Sequence, residues 1–161
     1  MKDKKTKKMW GVFDESGIFM VVCHHRFSLV IADIVQSGEQ AKYPLAVVSK
    51  LLDAFGKDLG SGYNIGCRFK TTLSRSVLGH RAHELNHTSL VSVFHGHAHQ
   101  HLCQLDRLAT YVDGLGLEDL KGCEWTFSKS NALASSVRYA SIFDWCQAIT
   151  NYFQHNNDYE I

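Results

Sequence analysis

Four histidines and a cysteine stand close together in the segment His95-Gly-His-Ala-His-Gln-His101, which is followed by Cys103. If the segment is a strand, alternate residues share a face and all four imidazoles line one side. If it is helical, His97 pairs with His101 and His99 pairs with Cys103, because residues four apart are neighbours. Imidazole nitrogen and thiolate sulfur are the ligands that Zn²⁺ prefers, so His95, His97, His99 and Cys103 are the predicted ligands of a structural or catalytic zinc site. The alternative is a polar loop whose histidines bind backbone groups or water.

Two further segments could offer oxygen ligands to a metal. In Gly62-Tyr-Asn-Ile-Gly-Cys67, Asn64 lies near the end of a predicted strand, where α/β enzymes often carry a metal-binding carboxylate. An amide, however, supplies a neutral oxygen and no negative charge. In Gly114–Glu124, acidic residues precede a long predicted helix. They could either bind a metal or interact favourably with the positive end of the helix dipole. For both segments, a local structural role is the simpler interpretation.

Composition limits the class of protein. The chain has 161 residues, 45% hydrophobic and 20% charged, which is enough for one domain with a packed core. Lys and Arg (17) nearly balance Asp and Glu (16), but five lysines fall in the first eight residues and predict a basic arm on a slightly acidic body, unlike a nucleic-acid-coating protein. The longest apolar run, Ile18–Cys23, is far shorter than the roughly 18 residues of a membrane span, and no secretory signal is expected. The five cysteines show no CxxC spacing, which disfavours a disulfide framework and favours a reducing compartment.

Hydrophobic periodicity predicts a single α/β domain over residues 9–161, behind an arm of residues 1–8. A polar turn at Asp14–Gly17 separates the first two strands of an antiparallel meander. The predicted strands are Met9–Phe13, Ile18–Val22, Phe27–Val35, Gly62–Phe69 and Leu90–Phe94. The predicted helices are Pro44–Phe55, which Gly56 ends, a polar stretch through Leu85, and a long closing helix at Ser128–Phe153. This order is that of the ribonuclease H-like architecture, a mixed sheet with flanking helices.

Six motifs follow one another along nearly the whole chain. They are Gly11–Phe19, Ser37–Leu45, Gly62–Cys67, Phe94–Gln104, Gly114–Glu124 and Ser128–Ala134. Together these motifs resemble the Kyakuja-Dileera-Zisupton (KDZ) transposases, eukaryotic DNA transposases that are abundant in mushroom-forming fungi. The resemblance implies a ribonuclease H-like core, DNA as the substrate, action in the nucleus, and a triad of two aspartates and a glutamate that holds two Mg²⁺ ions.

The resemblance also implies which residues of this chain occupy the catalytic positions. The family's first aspartate lies upstream of the Gly11 motif, so the core is expected to be truncated at its N-terminal strand. The second aspartate belongs to a Tyr-Asp-Ile pattern that reads Tyr63-Asn64-Ile65 here. The glutamate segment reads Lys121-Gly-Cys-Glu-Trp125, in which Glu124 is the remaining acid. The candidate catalytic residues are therefore Asn64 and Glu124.

Too few carboxylates remain in these positions to hold paired Mg²⁺ ions, so the resemblance predicts a degenerate transposase without catalysis. The alternatives are a transposase-derived module that binds zinc or DNA without cutting it, and a zinc hydrolase built on the His/Cys cluster. The hydrolase needs a general base beside the metal, and the sequence nominates none.

Overall fold

A computed structural model describes residues 15–35 and 37–159, which form two compact units. The central unit is Ala41–Lys121, and the described part of the terminal unit combines residues 15–35 and 37–40 with residues 122–159. The predicted basic arm and the predicted strand Met9–Phe13 lie outside the described residues. Within the described residues the chain is a mixed α/β protein with small sheets and flanking helices, which confirms the predicted class at that level. None of the described helices has the length and hydropathy needed to span a membrane.

The terminal unit contains an antiparallel strand pair, β1 (Glu15–Val22) and β2 (Ser28–Val35). The predicted strands Ile18–Val22 and Phe27–Val35 are confirmed within it. The predicted turn is wrong at Glu15–Gly17, because these residues extend β1 and face the end of β2. The Ser16 hydroxyl lies 2.7 Å from the carbonyl oxygens of both Ile34 and Ser37, which holds this extension in place.

Two helices complete the terminal unit. They are α5 (Gly122–Val137) and α6 (Ile142–Tyr159), numbered after the four helices of the central unit. The predicted single helix Ser128–Phe153 is therefore wrong. The interruption has a local cause, because the Ser141 hydroxyl accepts a hydrogen bond from the Asp144 backbone N–H at 3.2 Å and so starts a new helix. The Asn157 side chain bonds both backbone groups of Ser28, at 2.8 and 3.1 Å, and joins α6 to β2.

The central unit opens with α1 (Lys42–Phe55), which confirms the predicted helix. Pro44 lies in its first turn, where a missing backbone N–H leaves no hydrogen bond unmade, and Gly56 ends the helix with φ at 77°. One face of α1 is buried in a hydrophobic core that helices further along the chain share. The buried core residues are Val48, Leu52, Phe69, Leu73 and Ala82.

The rest of the central unit alternates short strands with short helices. In chain order its elements are β3 (Gly60–Gly62), α2 (Gly66–Ser74), α3 (Gly79–Glu84), β4 (Thr88–Leu90), a 3-10 helix (Val93–Ala98), α4 (His101–Arg107) and a second 3-10 helix (Ala109–Tyr111). Strands β3 and β4 are parallel neighbours.

The two strands predicted in this unit are largely wrong. From Gly66 onward the predicted strand Gly62–Phe69 is helical, because Phe69 and Leu73 reach the core with a four-residue spacing that suits a helix. Of Leu90–Phe94, only Leu90 belongs to a strand, and Val91 forms an isolated bridge with Leu108.

Candidate metal centre

The histidine-rich segment is neither one strand nor one helix. His95 and His97 lie in the 3-10 helix Val93–Ala98, His99 follows it in extended conformation, and His101 and Cys103 lie in α4. The predicted arrangement with all four imidazoles on one strand face is therefore wrong. The alternative pair, His99 with Cys103, is brought together.

Three potential ligands meet in the central unit: Cys67 near the start of α2, His99 before α4, and Cys103 within α4. The Nδ1 atom of His99 lies 3.3 Å from the Cys67 Sγ and 3.4 Å from the Cys103 Sγ. All three ligand atoms lie within 4.8 Å of one another, and each residue is half-buried. Two sulfurs and one imidazole nitrogen at this separation could hold one metal ion.

The hydrogen bonds of His99 fix which ring nitrogen is available. Its Nε2 lies 2.9 Å from the backbone carbonyl oxygen of Asn64. A carbonyl can only accept, so Nε2 carries the proton and the lone pair of Nδ1 points toward the two thiols. Metal-binding histidines typically donate their other ring N–H to a carbonyl or carboxylate in this way, which orients the ring.

Local contacts position the three residues of this group. The Gln104 side-chain amide donates to the His99 carbonyl at 2.8 Å, which ties the segment before α4 to that helix. At Gly66, next to Cys67, an added Cβ would lie 2.0 Å from the Leu90 carbonyl oxygen, so only glycine allows the start of α2 to approach β4 this closely. Cys67 therefore sits on a helix end whose position is set by the sheet.

The electrostatics of the cluster depend on whether a cation is present. Burial raises the pKa of the Cys103 thiol, and the neighbouring Cys67 raises it further through a hydrogen bond and its charge. Without a cation, these effects favour the protonated form of Cys103. A bound divalent cation reverses this preference, because it stabilises thiolates and releases their protons.

Cys67 is a potential ligand that the sequence analysis did not identify. It stands at the end of the Gly62–Cys67 motif, but no CxxC spacing connects it with Cys103. The remaining predicted zinc ligands do not belong to the group. His95 packs edge-on against Phe94, with ring centroids 5.0 Å apart, and His97 is exposed.

The two candidate catalytic residues lie in different units. Asn64 is exposed in the turn between β3 and α2, and its backbone carbonyl supports His99. Glu124 lies in the first turn of α5, where an acidic side chain is favourable beside the helix dipole. The number of residues between Asn64 and Glu124 in the sequence does not indicate that they belong to different units.

The acidic residues before α5 serve local structure. Glu118 accepts a hydrogen bond from the Leu120 backbone N–H at 2.9 Å, and Asp119 accepts one from the Lys121 N–H at the same distance. These bonds support a turn in which Leu120 has φ at 56°. The simpler of the two interpretations of this segment agrees with these contacts.

Comparisons with known proteins add the family. The family model described as Kyakuja-Dileera-Zisupton transposase matches residues 1–157 of the 161-residue chain. Searches of the curated proteins and of the solved structures found no match.

Proposed function

The chain belongs to the Kyakuja-Dileera-Zisupton transposase family, and from this premise we propose that it is a transposase-derived protein that binds zinc and DNA but does not itself cut or join DNA strands. Its zinc ligands are Cys67, His99 and Cys103, and its site of action is the nucleus. Its architecture is ribonuclease H-like, supported by the order of an antiparallel strand pair, a helix and a parallel strand pair. On this proposal the two units belong to one transposase-derived domain.

The observation that carries the proposal is the double role of His99. Its Nδ1 faces two thiols and its Nε2 bonds the backbone of Asn64, the residue at the family's second aspartate position. A Cys₂His set suits tetrahedral Zn²⁺ and leaves a fourth coordination position for another ligand. When bound, the ion would join α2 to α4 and so hold the Asn64 turn in place.

Loss of catalysis follows from charge. The amide of Asn64 contributes no negative charge to a two-metal centre, and Lys121 puts a cation where the family's glutamate segment has an acid. Asn64 and Glu124, which stand at the family's acidic positions, thus offer one carboxylate between them, whereas paired Mg²⁺ ions need several. A zinc hydrolase is a weaker candidate, because the described cluster of Cys67, His99 and Cys103 contains no general base.

Metal analysis tests the zinc site. We expect the purified chain to carry one zinc ion per polypeptide, and Cys67→Ser or Cys103→Ser to lose it, because two ligands cannot hold the ion at submicromolar zinc. The matched control is the double variant His95→Ala/His97→Ala, which removes two histidines from the same segment but outside the cluster. Elemental analysis after gel filtration provides the stoichiometry. Stoichiometric zinc in Cys103→Ser, or its loss from the histidine control, would contradict the assigned ligands.

Restoring the missing carboxylate tests the loss of catalysis. We expect Asn64→Asp to show no more Mg²⁺-dependent nicking of supercoiled plasmid than the unchanged chain, because one added anion does not complete a two-metal site. Zinc content should be unaffected, since Asn64 supports His99 through its backbone carbonyl rather than its side chain. Nicking that appears with Asn64→Asp and disappears with EDTA would show that the catalytic ligands are present after all.

A further inference from the structure

Acidic residues are absent from a long stretch of the central unit. From Leu59 to His83 the chain contains no Asp or Glu, whereas it contains the cations Arg68, Lys70, Arg75 and Arg81. The whole chain is almost neutral, so this stretch separates positive charge from negative charge. Such a local excess attracts polyanions even in a protein whose net charge is close to zero.

The arginine at the end of this stretch already has a local partner. Arg81 in α3 contacts the Asp53 carboxylate at 2.6 Å. Among the described residues, by contrast, no carboxylate forms an ion pair with Arg68, Lys70 or Arg75. The uncompensated charge is therefore concentrated on α2 and the residue that ends it.

The side chains of α2 divide into a buried and an exposed face. Phe69 and Leu73 reach the core, while the exposed residues at helical spacing on the opposite side form what we call the α2 basic face. It consists of Arg68, Thr71, Thr72 and Arg75, all exposed. Two arginines two turns apart with hydroxyls between them match a sugar–phosphate backbone, because guanidinium groups bind phosphate in a bidentate manner and hydroxyls add hydrogen bonds.

Helix α2, which carries this face, is packed against the rest of the central unit. Its apolar side is packed into the core with Val48 and Leu52, and its first residue, Gly66, touches β4. The proposed zinc ligand Cys67 immediately precedes Arg68. A rigid helix loses little conformational entropy when it binds, so its charges are pre-organised for a partner.

We propose that the α2 basic face binds the phosphate backbone of duplex DNA. The proposal deepens the DNA-binding part of the proposed function by assigning it to one surface. The contacts are electrostatic and hydrogen-bonded to phosphate, so they hold the duplex without selecting its sequence. Lys70, exposed at the side of the helix, adds to the positive field.

Salt-dependent binding tests the surface. Fluorescence anisotropy with a labelled DNA duplex of random sequence would give the association constant of the full chain at several salt concentrations. We expect Arg68→Gln/Arg75→Gln to lower the slope of log K against log salt by about 1.8, because each lost phosphate contact contributes about 0.9. Affinity at low salt should fall by about tenfold or more. Thr71→Val, which keeps the charge, should weaken binding with little change in slope.

The matched control is Lys50→Gln/Lys57→Gln, which removes two exposed positive charges from the same unit but outside α2. It should leave the slope unchanged, and circular dichroism should show that every variant is folded. Equal losses in both double variants would overturn the assignment to α2, as would stronger binding of single-stranded RNA than of duplex DNA. If the unchanged chain binds no DNA at all, both this inference and the DNA-binding part of the proposed function fail, whereas the zinc measurement is unaffected.

Discussion

Replacing Gly66 with alanine is expected to destabilise the protein by more than about 3 kcal/mol, at the upper end of the cost of overpacking. The added Cβ would lie 2.0 Å from the carbonyl oxygen and 2.7 Å from the carbonyl carbon of Leu90. These are backbone atoms of β4, so they cannot rotate out of the way as a side chain does. The same carbonyl accepts the Tyr63 N–H at 3.0 Å, so a shift of β4 also strains the bond beside the Asn64 turn.

The sign of this effect opposes intrinsic helix propensity. Gly66 lies in α2, where alanine is ordinarily more favourable than glycine by about 1 kcal/mol. Helix propensity alone would make the alanine variant more stable, so the sign of the measured change shows whether propensity or the clash with Leu90 dominates. Urea denaturation monitored by circular dichroism gives the free energy of unfolding.

A second glycine provides the control for Gly66→Ala. At Gly116 an added Cβ meets nothing within 4 Å, although φ at 63° is unfavourable for alanine. We expect Gly116→Ala to cost about 1 kcal/mol, which is the backbone cost without the clash. If Gly66→Ala is as stable as Gly116→Ala, then α2 does not approach β4 as closely as the structure describes.

Removing the metal is expected to lower stability by about 4 kcal/mol when free zinc exceeds its dissociation constant a thousandfold, by mass action. On the proposed function a bound ion would join α2 to α4 through Cys67 and Cys103, and α4 has no buried residues of its own. Little apolar packing therefore remains to hold α4 once the metal is gone. Differential scanning fluorimetry with and without EDTA should show a fall in melting temperature of about ten degrees or more.

Variants distinguish this effect from non-specific action of the chelator. Cys103→Ser should melt at a lower temperature than the unchanged chain with zinc present, and EDTA should change it no further. His95→Ala/His97→Ala should keep the full response to EDTA. If EDTA strips the zinc from the unchanged chain without altering its melting temperature, the site does not stabilise the fold.

The raised pKa of the Cys103 thiol also predicts how the effect of zinc on stability depends on pH. Since burial and Cys67 hold the pKa of Cys103 above its ordinary value, protons compete with zinc for the cluster. The zinc-dependent part of the stability should therefore grow as the pH rises toward the pKa of Cys103 and shrink as the pH falls.

Local patterns predicted the elements in which one signal dominates. Helix α1 combines Pro44 near its start, apolar residues at helical spacing and Gly56 at its end, so every local preference agrees. Strands β1 and β2 are rich in branched apolar residues and were likewise predicted over most of their length. These elements required no knowledge of distant contacts.

The errors occurred where short segments carried two compatible patterns. Gly62–Phe69 has strand-like composition, but packing of Phe69 and Leu73 against α1 selects a helix after Gly66. The closing helix shows a continuous apolar period, and one serine cap at Ser141 divides it. A single hydrogen bond of this kind is not visible in a periodic pattern.

Sequence alone indicated the family, the α/β class, the concentration of histidines before α4 and the amide at Asn64. Motifs and composition are properties of the chain itself, so they can be identified without its structure. The tertiary structure decided which of these histidines meets a thiol. Cys67 and His99 are brought within 3.3 Å by the parallel pairing of β3 with β4 and the close approach at Gly66. Distance between residues far apart in the chain is set by packing, and no local spacing encodes it.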